Sequence, residues 1–205
     1  MSLEILLSFV IATLALSLSP GPDNIFVLMQ SIVNGKKYGL ATVSGLMTGC
    51  IVHTTLVAFG VSAIIKANEN LFFSIKLFGA FYLLYLAIKV FKSDASIALL
   101  KCKIAKKSTR KLFQQGFMMN VLNPKVSIFF LAFFPGFLFS ESMNPIVQFY
   151  ILGLLFIIVS GIVFSLIALL SGSISQSIKT NKHIGFYLKW LQIIVFIVIA
   201  ILILI

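Results

Sequence analysis

The sequence predicts an all-α integral membrane protein with six transmembrane helices. It is read as an inverted 3+3 repeat in which helices 1 and 4 are broken. Three observations carry this reading. Of 205 residues, 60% are hydrophobic and only 10% charged, with a mean hydropathy of +1.12. Soluble domains run about 45–50% apolar and about 25% charged, so this chain has too little polar surface to coat a water-soluble globule. The apolar residues also form runs close to the roughly 20 residues that a bilayer-crossing helix needs. Finally, two of those runs carry proline in their interior.

The first segment spans about 3–33 and is broken at Ser19-Pro20-Gly21-Pro22-Asp23. It carries Glu4, has no basic leading region and lacks a small-residue cleavage site before Pro20, so it is read as a membrane helix rather than a signal peptide. The second spans 39–65 and the third 71–91. The fourth spans 112–139 and is interrupted at Asn123-Pro124. The fifth spans 145–170 and the sixth 184–205. The whole chain, 1–205, is therefore one transmembrane domain. Its first half is 1–92, a basic cytoplasmic loop is 93–111, and its second half is 112–205. Each half opens with a long helix broken by a proline motif. Three spans per half would insert the second half upside down relative to the first, a plan common among secondary transporters.

Charge sets the orientation. Lys36 and Lys37 lie between segments one and two, and Lys179 and Lys182 between five and six, with Lys189 just beyond. The densest cluster is Lys101, Lys103, Lys106, Lys107, Arg110 and Lys111. Between segments two and three Lys66 is balanced by Glu69, and the loop from four to five has only Glu141. Lysine and arginine collect on the cytoplasmic side, which puts both termini outside. A first segment that dipped in and out would put the N-terminus inside instead. The net charge of +11 is a topology signal that suits an anionic leaflet, not a nucleic-acid partner. Cys50 and Cys102 have neither metal-ligand nor redox spacing, and no cofactor is indicated.

The residues that break the hydrophobic rule are the candidate site. Proline removes a backbone hydrogen bond and clashes with the preceding turn. Freed backbone groups cannot face lipid, so such breaks are buried or line a wet cavity. Pro22 suits the first turn of a half-helix resuming at Asp23, and Asn123 can cap one beginning at Pro124. Both breaks would aim positive helix ends at one midplane region, where a carboxylate could bind. Asp23, His53, Lys76 and Lys125 are the ionisable residues within the spans. A charge at mid-bilayer costs at least about 2.5–3.5 kcal/mol, so it faces a partner or a cavity. The alternatives are that Asp23 is merely a dipole-stabilised first-turn acid and that Lys76 snorkels to the outer interface. His53 is read first as a hydrogen-bonded packing residue and second as a proton relay. Gly45 and Gly49 form a GxxxG that allows close helix approach, within one subunit or between two, so a homodimer is compatible with the sequence.

Four ordered blocks resemble the LysE/RhtB family of bacterial amino-acid exporters, nearest its homoserine/threonine branch. They are Ser19-Pro20-Gly21-Pro22-Asp23-Asn24, then Gly35-Lys36-Lys37-Tyr38-Gly39-Leu40, then Lys76 through Leu86, then Phe113-Gln114-Gln115-Gly116-Phe117 with Asn120-Val121-Leu122-Asn123-Pro124-Lys125 and Phe133-Phe134-Pro135. Gly136 departs from the family, which often has glutamine there. The resemblance implies a multi-pass protein of the inner (plasma) membrane and no enzyme. It implies export of amino acids or derivatives, driven by the membrane potential or a proton gradient without ATP. On that basis a zwitterionic amino acid would bind between the two broken helices. Asp23 would hold the ammonium; Lys125, with Lys76 as a second cation, would hold the carboxylate. Asn120 and Asn123 would add hydrogen bonds, and rocking of the halves would alternate access. Asp23, or else His53, would carry a coupled proton. The main alternative is an exporter of metal or other ions from the same superfamily, although such a site wants several converging carboxylates, histidines or thiolates.

Overall fold

The computed structural model describes residues 3–67, 69–93, 107–181 and 183–204. Lys101, Cys102, Lys103 and Lys106 of the predicted basic loop lie outside the described residues, as does Lys182. Among the described residues every regular element is helical.

Helix α1 (Leu3–Leu18) meets α2 (Pro22–Asn34) at a bend of 60°. A single residue, Gly35, joins α2 to α3 (Lys36–Leu56) at φ 102°, a conformation that a side chain resists and glycine accepts. The α3 helix runs on through a π-helical turn (Val57–Val61) into α4 (Ser62–Ala67), and α5 is Glu69–Lys92. The second half opens with α6 (Thr109–Val121), capped by the Ser108 hydroxyl, and then α7 (Pro124–Ile128). From α7 the chain continues through a π turn (Phe129–Phe133) and a 3₁₀ turn (Phe134–Phe137). This second broken helix bends by 49°. Next come α8 (Pro145–Leu169), α9 (Ser171–Thr180) and α10 (Ile184–Leu204). Among the described residues four helices are long and apolar enough to cross a bilayer alone, and each bent pair taken as one span makes six. The observed helices coincide with the six predicted segments to within a few residues. The sequence reading left α9 in a loop.

The surface follows the solvent. Phe78, Phe81, Leu154 and Ile162 point outward at more than half exposure, as lipid-facing residues do. Inside, Phe9, Phe129, Phe130, Phe134 and Phe149 are fully buried. The third helices of the two halves, α5 and α10, pack on each other, as do the second helices, α3 and α8. The second helix of each half also packs on the broken helix of the other, α3 on α6 and α8 on α1. The α3–α6 contact is the closest. Gly45 lies against the Phe113 carbonyl, Gly49 against Asn120, and Gly116 against the Thr42 carbonyl, with no room for a side-chain carbon at any of them. The GxxxG of α3 thus serves packing within the subunit.

Apart from Lys66, Lys76 and Lys125, the described lysines and arginine lie near the helix ends that a six-span path puts on one side. The Lys189 ammonium donates to the Ser93 carbonyl at 2.7 Å and lies over the Phe91 ring, which meets Trp190 edge-on. At the opposite end the non-helical chain before α8 is held by one buried side chain. Gln148 accepts from the Phe139 and Ser140 N–H groups and donates to the Ser140 and Met143 carbonyls. Such a loop needs internal partners near lipid, and Gln148 supplies four.

Candidate functional site

The site grows out of the two prolines that interrupt the helices. In an α-helix the carbonyl of residue i accepts from the N–H of residue i+4. Pro20 has no N–H, so the Leu16 carbonyl loses its donor. The Lys125 ammonium replaces it, donating to the Leu16 and Ser19 carbonyls at 3.1 Å each. The next orphan, the Ser17 carbonyl, accepts from the Asn24 side-chain amide at 2.7 Å. Pro124 does the same to the Asn120 carbonyl. That oxygen accepts from the Asn123 N–H at 3.0 Å and faces His53 Nε2 at 3.1 Å. A carbonyl can only accept, so His53 carries its proton on Nε2 in this contact.

The two breaks are tied to one another. Asn123 caps α7 by accepting from the Lys125 N–H at 3.0 Å. Its amide nitrogen crosses to Asp23 Oδ2 at 2.7 Å, joining residues 100 apart in sequence. Asp23 is 5% exposed, and its second oxygen, Oδ1, has no hydrogen-bond partner among the described residues. Lys125 has three ammonium protons, two of which go to the end of α1; the ammonium also lies over the Phe196 ring, 5.4 Å from its centre. One donor and one acceptor of opposite charge are left over at this junction.

Asp23, Asn120, Asn123 and Lys125 line one cavity between the breaks, together with Ser17, Asn24 and Cys50. Its volume is about 30 Å³, room for a water or two and too small for an amino acid. One wall is Phe156, which belongs to a phenylalanine cluster. Phe130 stacks on Phe134 at 4.1 Å and meets Phe156 at 4.9 Å, and Phe9 meets Phe134 at 5.1 Å. This cluster lies on the side of the cavity away from the cationic end, since Phe9 precedes the break in α1 and Phe134 follows the break before α7.

Lys76 is elsewhere. It lines a separate groove of about 610 Å³ among α1, α10 and the π–3₁₀ segment. Gly136 lines the same groove. His53 stands behind Asn120 and packs on Phe130. Among the described residues no three histidine, cysteine, aspartate or glutamate side chains converge as a metal site. Asn24, which closes the first motif, lines the cavity too, and so do Ser17 and Ser160, which no motif marks. The signal of these two serines is that each is a polar residue within an apolar helix.

Six helical spans, two of them broken, with opposite charges lining one cavity where the breaks meet, define a membrane translocator of the broken-helix type. A family profile described as LysE type translocator matches residues 14–205, and the chain belongs to that family. It is a multi-pass membrane protein, a translocator and not an enzyme. Among curated relatives it is 31% identical to the homoserine/homoserine lactone efflux protein of Salmonella typhimurium, and 32% identical to that of Salmonella typhi. Each alignment covers 89% of this chain and 88% of the relative. No solved structure matches it.

Proposed function

We propose that this protein is a secondary active efflux transporter of the inner membrane, exporting a small neutral amino acid or derivative of the homoserine and threonine kind. The observation that carries the reading is the Asn123–Asp23 bond, which brings both breaks to one cavity and leaves Asp23 Oδ1 without a partner. A substrate ammonium satisfies that oxygen. A substrate carboxylate takes the remaining Lys125 proton and the N–H groups at the start of α2, which has no side-chain cap. Asn120 and Asn123 orient the ligand. Export of homoserine by the two relatives supports the substrate class.

The exchange of packing partners between the halves supports the inverted repeat, and the gathered lysines support a cytoplasmic position for that end. Coupling to a proton falls to Asp23, which faces the cavity, ahead of His53, which is engaged with a backbone carbonyl. Cells loaded with dipeptides test the reading. Cells with the protein should release homoserine or threonine faster than cells without it, and Asp23→Asn should abolish the gain. Equal release with and without the protein would overturn it.

A further inference from the structure

Several hydroxyls in these helices are spent on their own backbone. Ser31, Thr42, Thr54 and Ser127 each donate to the carbonyl four residues earlier. Ser17 and Ser160 do not. Ser17 Oγ, on α1, donates to Ser160 Oγ, on α8, at 2.9 Å across 143 residues of sequence. Both are buried, at 4% and 1% exposure, and both line the cavity that holds Asp23, Asn123 and Lys125. The same cavity is lined by the apolar side chains of Met47, Phe156 and Phe164. In this bond the Ser160 hydroxyl is the acceptor, and its own proton is unspent.

We infer that Ser17 and Ser160 form the subsite for the substrate's side chain and select a short hydroxylated amino acid over its apolar isostere. This rests on the export reading above and adds to it the residues that read the side chain. The charged junction anchors the part common to all amino acids, and the hydroxyl pair faces the part that varies. A substrate hydroxyl inserts between the two serines, accepting from one and donating to the other. When the side chain has no hydroxyl, the serines bond each other. No buried polar group is then orphaned, so rejection of the isostere is modest. A site whose polar groups had no such fallback would discriminate by about 10⁴ or more.

The test is competitive export from cells or proteoliposomes loaded with matched pairs, homoserine with norvaline and threonine with valine. Rates are taken per amount of protein in the membrane. The wild type should favour the hydroxylated member by about tenfold, the worth of one net hydrogen bond. Ser17→Ala and Ser160→Ala, made separately, should each bring that ratio close to one. If both members of a pair slow together and the ratio holds, the serines merely join two helices and the inference fails. A wild type that exports both members equally also overturns the subsite, while leaving the export reading intact. If neither member leaves faster than from protein-free membranes, the export reading falls with it.

Discussion

The two breaks solve the same problem by different means. In the first, two prolines within three residues strip donors from the end of α1, and the orphaned Leu16 and Ser19 carbonyls are served by a lysine from the other half of the chain. In the second, one proline strips one donor. The Asn120 carbonyl keeps a local partner in the Asn123 N–H, with His53 as a second. The first break therefore depends on the second, and much less the other way round. Lys125 is at once a backbone cap for α1 and a cation at the cavity. A movement that separates the halves to admit substrate must also loosen α1 from Lys125. On the proposed export mechanism, opening of the site would therefore loosen the first break, which would couple the break to alternating access.

The largest effect should come from Lys125→Met. It removes the ammonium from two carbonyls and from the cavity together, so export should fall to the level of protein-free cells. Stability in thermal unfolding of the detergent-solubilised protein should drop by about 1–3 kcal/mol, the cost of a buried unsatisfied acceptor. Full export by this variant would break the dependence of the first break on the second.

Asn123→Asp should come next. The new carboxylate still accepts from the Lys125 N–H and caps α7, but it cannot donate to Asp23 and sets like charge beside it. Export should fall about 10- to 100-fold, as expected for the loss of a hydrogen bond to a charged group. Thermal unfolding alongside export would separate this from a loss of the cap.

His53→Phe should have the smallest effect. The Asn120 carbonyl retains the Asn123 N–H, and the new ring can pack on Phe130. A stability loss near 1 kcal/mol, the net worth of one hydrogen bond, and retention of most export are expected. Collapse of export in a well-folded His53→Phe protein would make the second break as dependent as the first and move the coupled proton to His53.

Much of this was legible in the residues. Hydropathy runs delimited the six spans because a bilayer demands about 20 apolar residues in a row. The breaks were legible because proline inside such a run has few other meanings. Asp23, Asn120, Asn123 and Lys125 were grouped from their places beside the breaks, and the structure does bring them to one cavity. Other features carry no local signal. That Lys125 reaches back to Leu16, 109 residues earlier, is a property of the packed halves and not of either motif. The same holds for the Ser17–Ser160 bond. Lys76 was grouped with the site by charge alone, yet its helix sets it in a different groove. The α9 helix has no span signal because Ser171–Thr180 is too short and polar; its Ile174 and Ile178 pack against Leu28 and Met29. The side from which GxxxG approaches its partner became plain only with α6 in place.

The central claim is that the unpaired oxygen of Asp23 receives the substrate's ammonium. The most direct test is equilibrium binding of homoserine, and of 4-hydroxybutyrate, which lacks the amino group, to purified wild-type and Asp23→Asn protein. Homoserine binding should weaken about 10- to 100-fold in the variant, the range for a hydrogen bond to a charged group, while 4-hydroxybutyrate binding should not weaken. Equal weakening of both ligands, or of neither, would contradict the assignment of Asp23 to the ammonium.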